Sequence, residues 1–372
     1  MSDDDLPAPD QAPGAPHPRE TPVLFGQDEA QADFLNAFAT GRMHHGWLLT
    51  GPEGVGKATL AWRIARFLLA TPPVEDDGLF GAPPPPETLD IDSDHPVARR
   101  ILAGAEPGLA RVTRSANDQG RMREQIVVDD IRRLSRFFGL SAADGGRRVV
   151  IVDAADEMNT SAANALLKML EEPPARTTIL LVSHQPTRLL PTIRSRCRSL
   201  RLKPLSPDDM AQALAQAGAD LPDDTAALSA LAAGSVGAAL RLLALDGLGQ
   251  YDRLVALLGT LPRLDRQSAL KLAESASGRG AADNFDQLLT LVDILLSRLA
   301  RTGATGQPPA PEAAPGEAQI LTRLAPDPHK ARAWAALAAS VGARGRHGQA
   351  VNLDPAALVL DTVFKIQDTA AG

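Results

Sequence analysis

Short apolar runs alternate with helix-like stretches through the first half of the chain, whereas the second half shows only helical periodicity. The apolar runs have the length and composition of strands that are buried on both faces. The strand-like runs are Trp47–Leu49, Ile126–Val128, Val149–Val152 and Thr177–Ser183, and the helix-like stretches are Asp28–Gly41, Ala58–Ala70, Asp129–Phe138 and Asn159–Leu170. Alternating strands and helices favour a parallel sheet flanked by helices. The first half is therefore predicted to be an α/β domain.

Shifts in composition mark the domain boundaries. Residues 1–20 are rich in Pro, Asp, Ala and Gly and are predicted to be disordered, and the Pro-rich residues 72–108 are predicted to be a loop-rich insertion. After Pro204 short Ala- and Leu-rich helices continue to the end, interrupted by a predicted loop at 302–318. The predicted divisions are a disordered tail (1–20), a parallel-sheet domain (21–203), a small helical domain (204–247) and a larger helical domain (248–372).

An apolar stripe runs along the predicted helix Asp283–Arg301 in the last division. Its members recur at three- and four-residue spacings, which is the period of one helix face. They are Phe285, Leu288, Leu289, Val292, Leu295, Leu296 and Leu299. Such a stripe packs helix on helix, and we expect the last division to mediate assembly with other subunits.

Composition limits the classes of protein that remain. The chain has 372 residues, 44% of them hydrophobic, which is enough for two or three domains. A net charge of −7 argues against a protein that coats nucleic acid by itself. The single cysteine, Cys197, excludes an internal disulfide and a cysteine-rich zinc site. An acidic N-terminus without a following apolar core and the lack of a long apolar stretch predict a cytoplasmic protein without a membrane span.

The segment from Gly51 to Thr59 nearly matches a phosphate-binding loop. Such a loop reads Gly-x-x-x-x-Gly-Lys followed by Ser or Thr, whose hydroxyl ligates Mg²⁺. Gly56 and Lys57 stand at the required spacing from Gly51, but the hydroxyl position is Ala58. Thr59 follows one residue later, about 100° further round the helix, and is a poor substitute.

A second site has a corresponding defect. The run Val149–Val152 ends in Asp153, as expected of a buried strand that delivers a metal-coordinating Walker B carboxylate. The next residue is Ala154, where ATPases of this kind usually carry a glutamate that polarises the attacking water. Two interpretations of the loop remain open, a nucleotide-binding site that does not hydrolyse and a vestigial turn. The possible nucleotide-binding residues are Gly51, Gly54, Gly56, Lys57, Thr59 and Asp153.

Several motifs in a fixed order resemble those of one family. The segment Ala162–Pro174 is similar to the helix that follows Walker B in clamp-loader AAA+ subunits. Ser195-Arg196-Cys197 matches the Ser-Arg-Cys motif of that family, and it follows a sensor-like strand end at Ser183-His184. Val351–Pro355 resembles part of the collar domain of bacterial clamp-loader chains. The chain is thus identified as a member of the AAA+ clamp-loader family over about residues 21–372.

The resemblance implies an AAA+ P-loop domain, then a helical lid (204–247) and a helical collar or oligomerisation domain (248–372). It also implies that Arg196 acts as an arginine finger, a catalytic group supplied in trans to the ATP of a neighbouring subunit. Ala58 and Ala154 depart from the motor subunits, as does Gly237, which stands where their lids carry a sensor arginine in a Gly-Ser-x-Arg context. We therefore expect a non-hydrolysing subunit of the DNA polymerase III clamp loader, which acts in DNA replication.

The resemblance also implies cofactors and partners. No cofactor is required, ATP binding is doubtful, and no metal is expected. The family's four-cysteine zinc module would fall in 72–108, where this chain has no cysteine, so no zinc is expected. The implied partners are the gamma or tau ATPase subunits and a delta subunit in a pentameric assembly. The sliding clamp and primed DNA would be reached through that complex.

Two other functions remain open. The chain is an independently active AAA+ ATPase, a motor subunit or a helicase loader, if Lys57 and Asp153 suffice for turnover. It is a pure scaffold if Arg196 is idle. In the preferred interpretation it has no intrinsic activity and is a subunit of a nucleotidyltransferase holoenzyme.

Overall fold

The computed structural model describes residues 9–11, 15–71, 84–139, 146–222, 225–276, 281–351 and 353–372. Asn352 of the C-terminal motif lies outside these residues. The chain divides into two compact units, residues 1–218 with 234–237, and residues 219–233 with 238–372. The predicted boundaries at 203 and 247 stay predictions. Within the described ranges, no helix is long and apolar enough to cross a membrane.

Unit 1 is a parallel sheet covered by helices. Its strands are β1 (Gly46–Thr50), β2 (Leu109–Val112), β3 (Arg148–Val152), β4 (Thr177–Ser183) and β5 (Arg198–Arg201). Its helices are α1 (Asp28–Ala39), α2 (Lys57–Ala70), α3 (Pro96–Leu102), α4 (Val128–Gly139), α5 (Thr160–Glu171), α6 (Pro191–Arg194) and α7 (Pro207–Gln216). The strand order is β2-β3-β4-β1-β5, and every neighbouring pair is parallel.

The parallel arrangement brings three chain segments together at the carboxyl ends of the strands. Because the strands run the same way, the residues that follow β1, β3 and β4 emerge side by side. The P-loop follows β1, Asp153 follows β3, and His184 follows β4. The predicted α/β fold and AAA+ P-loop domain are confirmed.

Some local predictions are wrong. The predicted strand Ile126–Val128 is not formed, because the Asp130 carboxylate accepts a hydrogen bond from the Val127 N–H at 2.9 Å and α4 begins at Val128. The loop-rich insertion at 72–108 stays a prediction: residues 72–83 lie outside the described residues, 84–95 form no helix or strand, and α3 follows. Two edge strands were not predicted, since β2 and β5 are short and each carries arginine.

The described part of the N-terminal tail takes defined positions, which corrects the expectation of disorder for these residues. His17 is buried, and its ring meets Trp62 of α2 edge-on at 5.5 Å. The Asp10 carboxylate lies 3.3 Å from His17 Nε2 and 3.1 Å from Arg111 Nη1 on β2. Buried aromatic and ionic contacts offset the entropy of ordering a segment whose composition alone favours disorder.

Every described element of unit 2 is a helix. They are α8 (Thr225–Ala232), α9 (Val236–Ala244, whose first two residues belong to unit 1), α10 (Gly247–Gly259), α11 (Arg266–Ser275), α12 (Ala281–Thr305), α13 (Glu317–Leu324), α14 (Pro328–Ala350) and α15 (Pro355–Ala371). The predicted apolar stripe lies on α12, and all of its members except Leu289 are buried. The loop after α12 is shorter than predicted, since it runs only from 306 to 316.

A buried ionic network holds that loop. Glu317 is 1% exposed, and its carboxylate accepts hydrogen bonds from Tyr251 Oη at 2.6 Å and from the Ala313 N–H at 2.7 Å. The Arg298 guanidinium donates to both carboxylate oxygens, at 2.7 and 2.9 Å, and to the Pro311 carbonyl at 2.9 Å. The charge of Glu317 is thus paired inside unit 2.

Candidate functional site

The glycines of the P-loop are required by its backbone. Gly51, Gly54 and Gly56 have φ angles of 145°, 73° and 99°, a region that side chains rarely adopt. A Cβ atom on Gly51 would also lie 2.5 Å from the Leu202 carbonyl oxygen. The loop therefore keeps the tight conformation that its sequence predicts.

Lys57 is directed into its own loop. It is the first residue of α2, it is 3% exposed, and its Nζ donates to the Gly51 carbonyl at 2.8 Å and also to the Pro52 carbonyl. Burial lowers the pKa of this ammonium group to about 8, although Asp153 and two other carboxylates favour its charged form. The cation that would neutralise a phosphate is already hydrogen-bonded within the loop.

Asp153 is buried at the end of β3. Its N–H donates to the Val112 carbonyl at 3.0 Å, which continues the ladder between β2 and β3. Burial raises the pKa of its carboxyl to about 7, helped by the negative charges of Asp10 and Glu157 and opposed by Lys57. For both residues, burial has a larger effect than the attraction between their charges. The pKa of Asp153 is therefore raised and that of Lys57 is lowered, and both shifts favour the uncharged form.

These residues do not fit a magnesium–nucleotide complex. The hydroxyl position is the methyl group of Ala58, and Thr59 lies further round α2. Ala154 is a buried apolar residue that offers no carboxylate to a water molecule. Lys57 would have to give up its bonds inside the loop before it met a phosphate.

Asp156 was not predicted as a site residue. Its carboxylate accepts hydrogen bonds from the His184 and Gln185 N–H groups at 3.0 and 3.2 Å, which fixes the turn after β4. Burial, and next the charge of Lys57, lower the pKa of the His184 imidazole. One sign of its role was present in the sequence, because Asp156 is the second carboxylate of the segment Asp153–Asp156.

Arg196 lies at the amino ends of the strands, opposite the end at which the P-loop lies. It stands just before β5, whose Arg198 pairs with Trp47 near the start of β1, whereas the P-loop follows the end of β1. The length of β1 therefore separates Arg196 from its own P-loop, about 15 Å at the rise of a strand. Its guanidinium Nη2 lies 3.0 Å from Glu171 Oε1, and Nη1 donates to the Thr192 carbonyl at 3.1 Å.

Cys197, beside Arg196, is not a nucleophile. Burial raises the pKa of its thiol to about 12, so almost no thiolate exists near neutral pH. Within the described ranges, no group of three or more His, Cys, Asp and Glu side chains is placed to hold a metal ion.

Comparisons with known proteins point to one family. The family model for the DNA polymerase III delta subunit matches residues 26–206. The chain is 37% identical over 234 residues to the DNA polymerase III subunit delta' of Pseudomonas aeruginosa, which covers 62% of this chain and 65% of that subunit. It is 32% identical over 207 residues to the delta' subunit of Escherichia coli, which covers 55% and 56%.

A third relative is the DNA polymerase III subunit tau of Salmonella typhimurium, 29% identical over 285 residues, which covers 74% of this chain and 40% of that subunit. The chain spans less than two thirds of the length of each of these relatives. The family-model match at residues 26–206 lies within unit 1. The chain therefore belongs to the AAA+ clamp-loader family of DNA polymerase III, and within that family it is a relative of the delta-prime subunits.

Proposed function

We propose that this chain is a non-hydrolysing subunit of the DNA polymerase III clamp loader that supplies Arg196 to the ATP site of an adjacent subunit. The position of Arg196 carries the proposal. The length of β1, about 15 Å, separates the backbone of Arg196 from its own P-loop. Its guanidinium contacts Glu171 and Thr192 instead of that loop, and the half-exposed side chain is available to a neighbour.

The chemistry of arginine fits this role. A guanidinium stays charged at any physiological pH and presents a planar fork that matches phosphate oxygens. Glu171 and the Thr192 carbonyl hold the fork on one side, which reduces the entropy lost when the group meets a phosphate. An arginine finger is worth on the order of 10³–10⁵ in rate in other phosphoryl-transfer systems.

The chain's own nucleotide site supports the proposal that hydrolysis takes place on a neighbouring subunit. Ala58 and Ala154 remove the metal-binding hydroxyl and the water-polarising carboxylate, so the local site lacks two of the groups that hydrolysis uses. We expect ATPase subunits and a delta subunit as partners in a cytoplasmic complex. The sliding clamp and primed DNA would be bound by that whole complex.

Arginine substitutions in the reconstituted complex test the proposal. Arg196→Ala is expected to lower DNA- and clamp-stimulated ATP hydrolysis at the neighbouring site by at least about tenfold, with a smaller fall in the total because other sites continue. Arg196→Lys should be nearly as damaging, since an ammonium group cannot form the bidentate contact.

The matched control is Arg194→Ala, an exposed arginine two residues earlier in α6. It should leave the rate unchanged. If complexes with Arg196→Ala and Arg194→Ala hydrolyse ATP equally fast, Arg196 is not a finger and the chain is a scaffold.

An independently active ATPase is the alternative function, and it requires turnover by the isolated chain through Lys57 and Asp153. We expect none above background. A rate near ~1 s⁻¹ for the purified chain, within the ordinary range of enzymes, would favour the ATPase over the non-hydrolysing subunit.

A further inference from the structure

The P-loop is hydrogen-bonded to other groups of the chain. We propose that the loop is a clasp that binds the chain's own segment 234–237 in place of a nucleotide, and that Gly237 makes this contact possible. The inference concerns unit 1 alone and does not depend on the role of Arg196.

Four successive carbonyl groups of the loop accept hydrogen bonds from other groups of the same chain. Lys57 Nζ donates to the Gly51 and Pro52 carbonyls. Segment 234–237 supplies the other two donors, since Ser235 Oγ donates to the Glu53 carbonyl at 2.8 Å and the Gly237 N–H donates to the Gly54 carbonyl at 3.1 Å. An ordinary P-loop is held by the anion that its N–H groups and lysine surround. Here internal hydrogen bonds provide that support.

Two glycines meet at the centre of the clasp. A Cβ atom on Gly54 would lie 2.3 Å from Ser235 Oγ and 2.9 Å from the Gly237 Cα, and a Cβ on Gly237 would lie 2.9 Å from the Gly54 Cα. Atoms cannot approach so closely, and the backbone cannot yield as a flexible side chain would. Only glycine at both positions allows the two segments to touch.

The same geometry gives a reason for the missing sensor arginine. Gly237 stands where the motor subunits carry that arginine, and any residue with a Cβ there would push segment 234–237 away from the loop. Loss of the arginine and closure of the clasp therefore go together. Restoring an arginine at this position would open the clasp rather than recreate an ATP site.

Alanine substitution at two helical glycines tests the clasp. Gly237 belongs to α9, and Gly139 ends α4, where an added Cβ meets no atom within 4 Å. Alanine is the better helix former, so Gly139→Ala should leave the melting temperature unchanged or raise it slightly. Gly237→Ala should lower it by roughly 4–8 °C and speed amide exchange of residues 51–57 by at least about tenfold.

Ser235→Ala is a milder second variant, because it removes only the hydroxyl that bonds Glu53. It should speed exchange in the same loop, with a smaller fall in melting temperature, even if Gly237→Ala does not fold. Equal melting temperatures and equal loop exchange for the wild type, Gly237→Ala and Ser235→Ala would overturn the clasp.

Nucleotide binding provides a separate test on the full-length chain. Mg-ADP at about 2 mM should shift the wild-type melting temperature by less than about 1 °C, because a ligand stabilises a protein only in proportion to its binding. A shift of several degrees that Lys57→Met abolishes would mean that the loop accepts a nucleotide, and the clasp would be rejected. Neither experiment involves a neighbouring subunit, so this inference fails or stands independently of the arginine finger.

Discussion

Replacement of the buried Asp153 by asparagine should change how the stability of unit 1 depends on pH. Asparagine has nearly the shape of a protonated aspartic acid and never ionises. In the folded chain, burial raises the pKa of Asp153 to about 7, above its ordinary value of 3.8. The folded state therefore keeps a proton that the unfolded state has released, so the wild type loses stability as pH rises through this interval.

The pKa shift gives the size of the effect. A difference of about three pKa units corresponds to roughly 4 kcal/mol. Below about pH 4 the wild type and Asp153→Asn should have similar free energies of unfolding, and by about pH 7.5 the variant should be more stable by a few kcal/mol. The difference in free energy of unfolding between the two proteins should grow from about pH 4 to about pH 7.5 and stay constant at higher pH.

Urea unfolding between about pH 4.5 and 8 measures this difference. Tryptophan fluorescence follows unit 1 through Trp47 and Trp62, and amide exchange of β3 reports the same unit without a contribution from Trp334 of unit 2. Asp129→Asn, at the exposed start of α4, makes the same chemical change outside the core and is the control. Stability curves of the wild type and Asp153→Asn that stay parallel over the whole range would refute the assignment of a raised pKa.

Three further outcomes are expected. Glu317→Ala should destabilise unit 2 by about 3–5 kcal/mol in urea unfolding, since it leaves the partly buried Arg298 without its carboxylate, and a loss below about 1 kcal/mol would contradict the network. Iodoacetamide should label Cys197 much more slowly at pH 8 in the folded chain than in urea, because burial raises its thiol pKa to about 12; equal mass-spectrometric labelling rates would contradict this. Glu171→Gln should leave the melting temperature within about 1–2 °C of the wild-type value, because exposed ion pairs contribute little to stability. It should slow ATP hydrolysis by the reconstituted complex, but by less than Arg196→Ala does. An unchanged rate would mean that Glu171 does not orient the arginine.

Strong periodic signals were sufficient to predict the centre of the sheet. The apolar runs at β1, β3 and β4 are continuous and buried, and the glycine pattern after β1 specifies the P-loop. The edge strands were not predictable in the same way. In β5, for example, Leu200 is the only fully buried residue, and its arginines resemble a solvent-exposed segment until the pairing with β1 is known.

The defects of the site were visible in the sequence, but their consequences were not. Ala58 and Ala154 could be read directly as missing groups. The contact between Gly54 and Gly237 joins positions 183 residues apart in the chain, so no local pattern predicts it. The burial of His17 depends likewise on contacts with Asp10, Trp62 and Arg111, which come from three separate parts of the chain.

The most direct measurement of the central claim compares two substitutions of this chain within the reconstituted clamp loader. Asp153→Asn removes the carboxylate that the chain's own site would need for metal binding, whereas Arg196→Ala removes the group offered to a neighbour. If the chain acts only in trans, DNA- and clamp-stimulated ATP hydrolysis should stay at the wild-type rate with Asp153→Asn and fall with Arg196→Ala, by about tenfold or more at the neighbouring site. A fall with Asp153→Asn and a wild-type rate with Arg196→Ala would contradict the account.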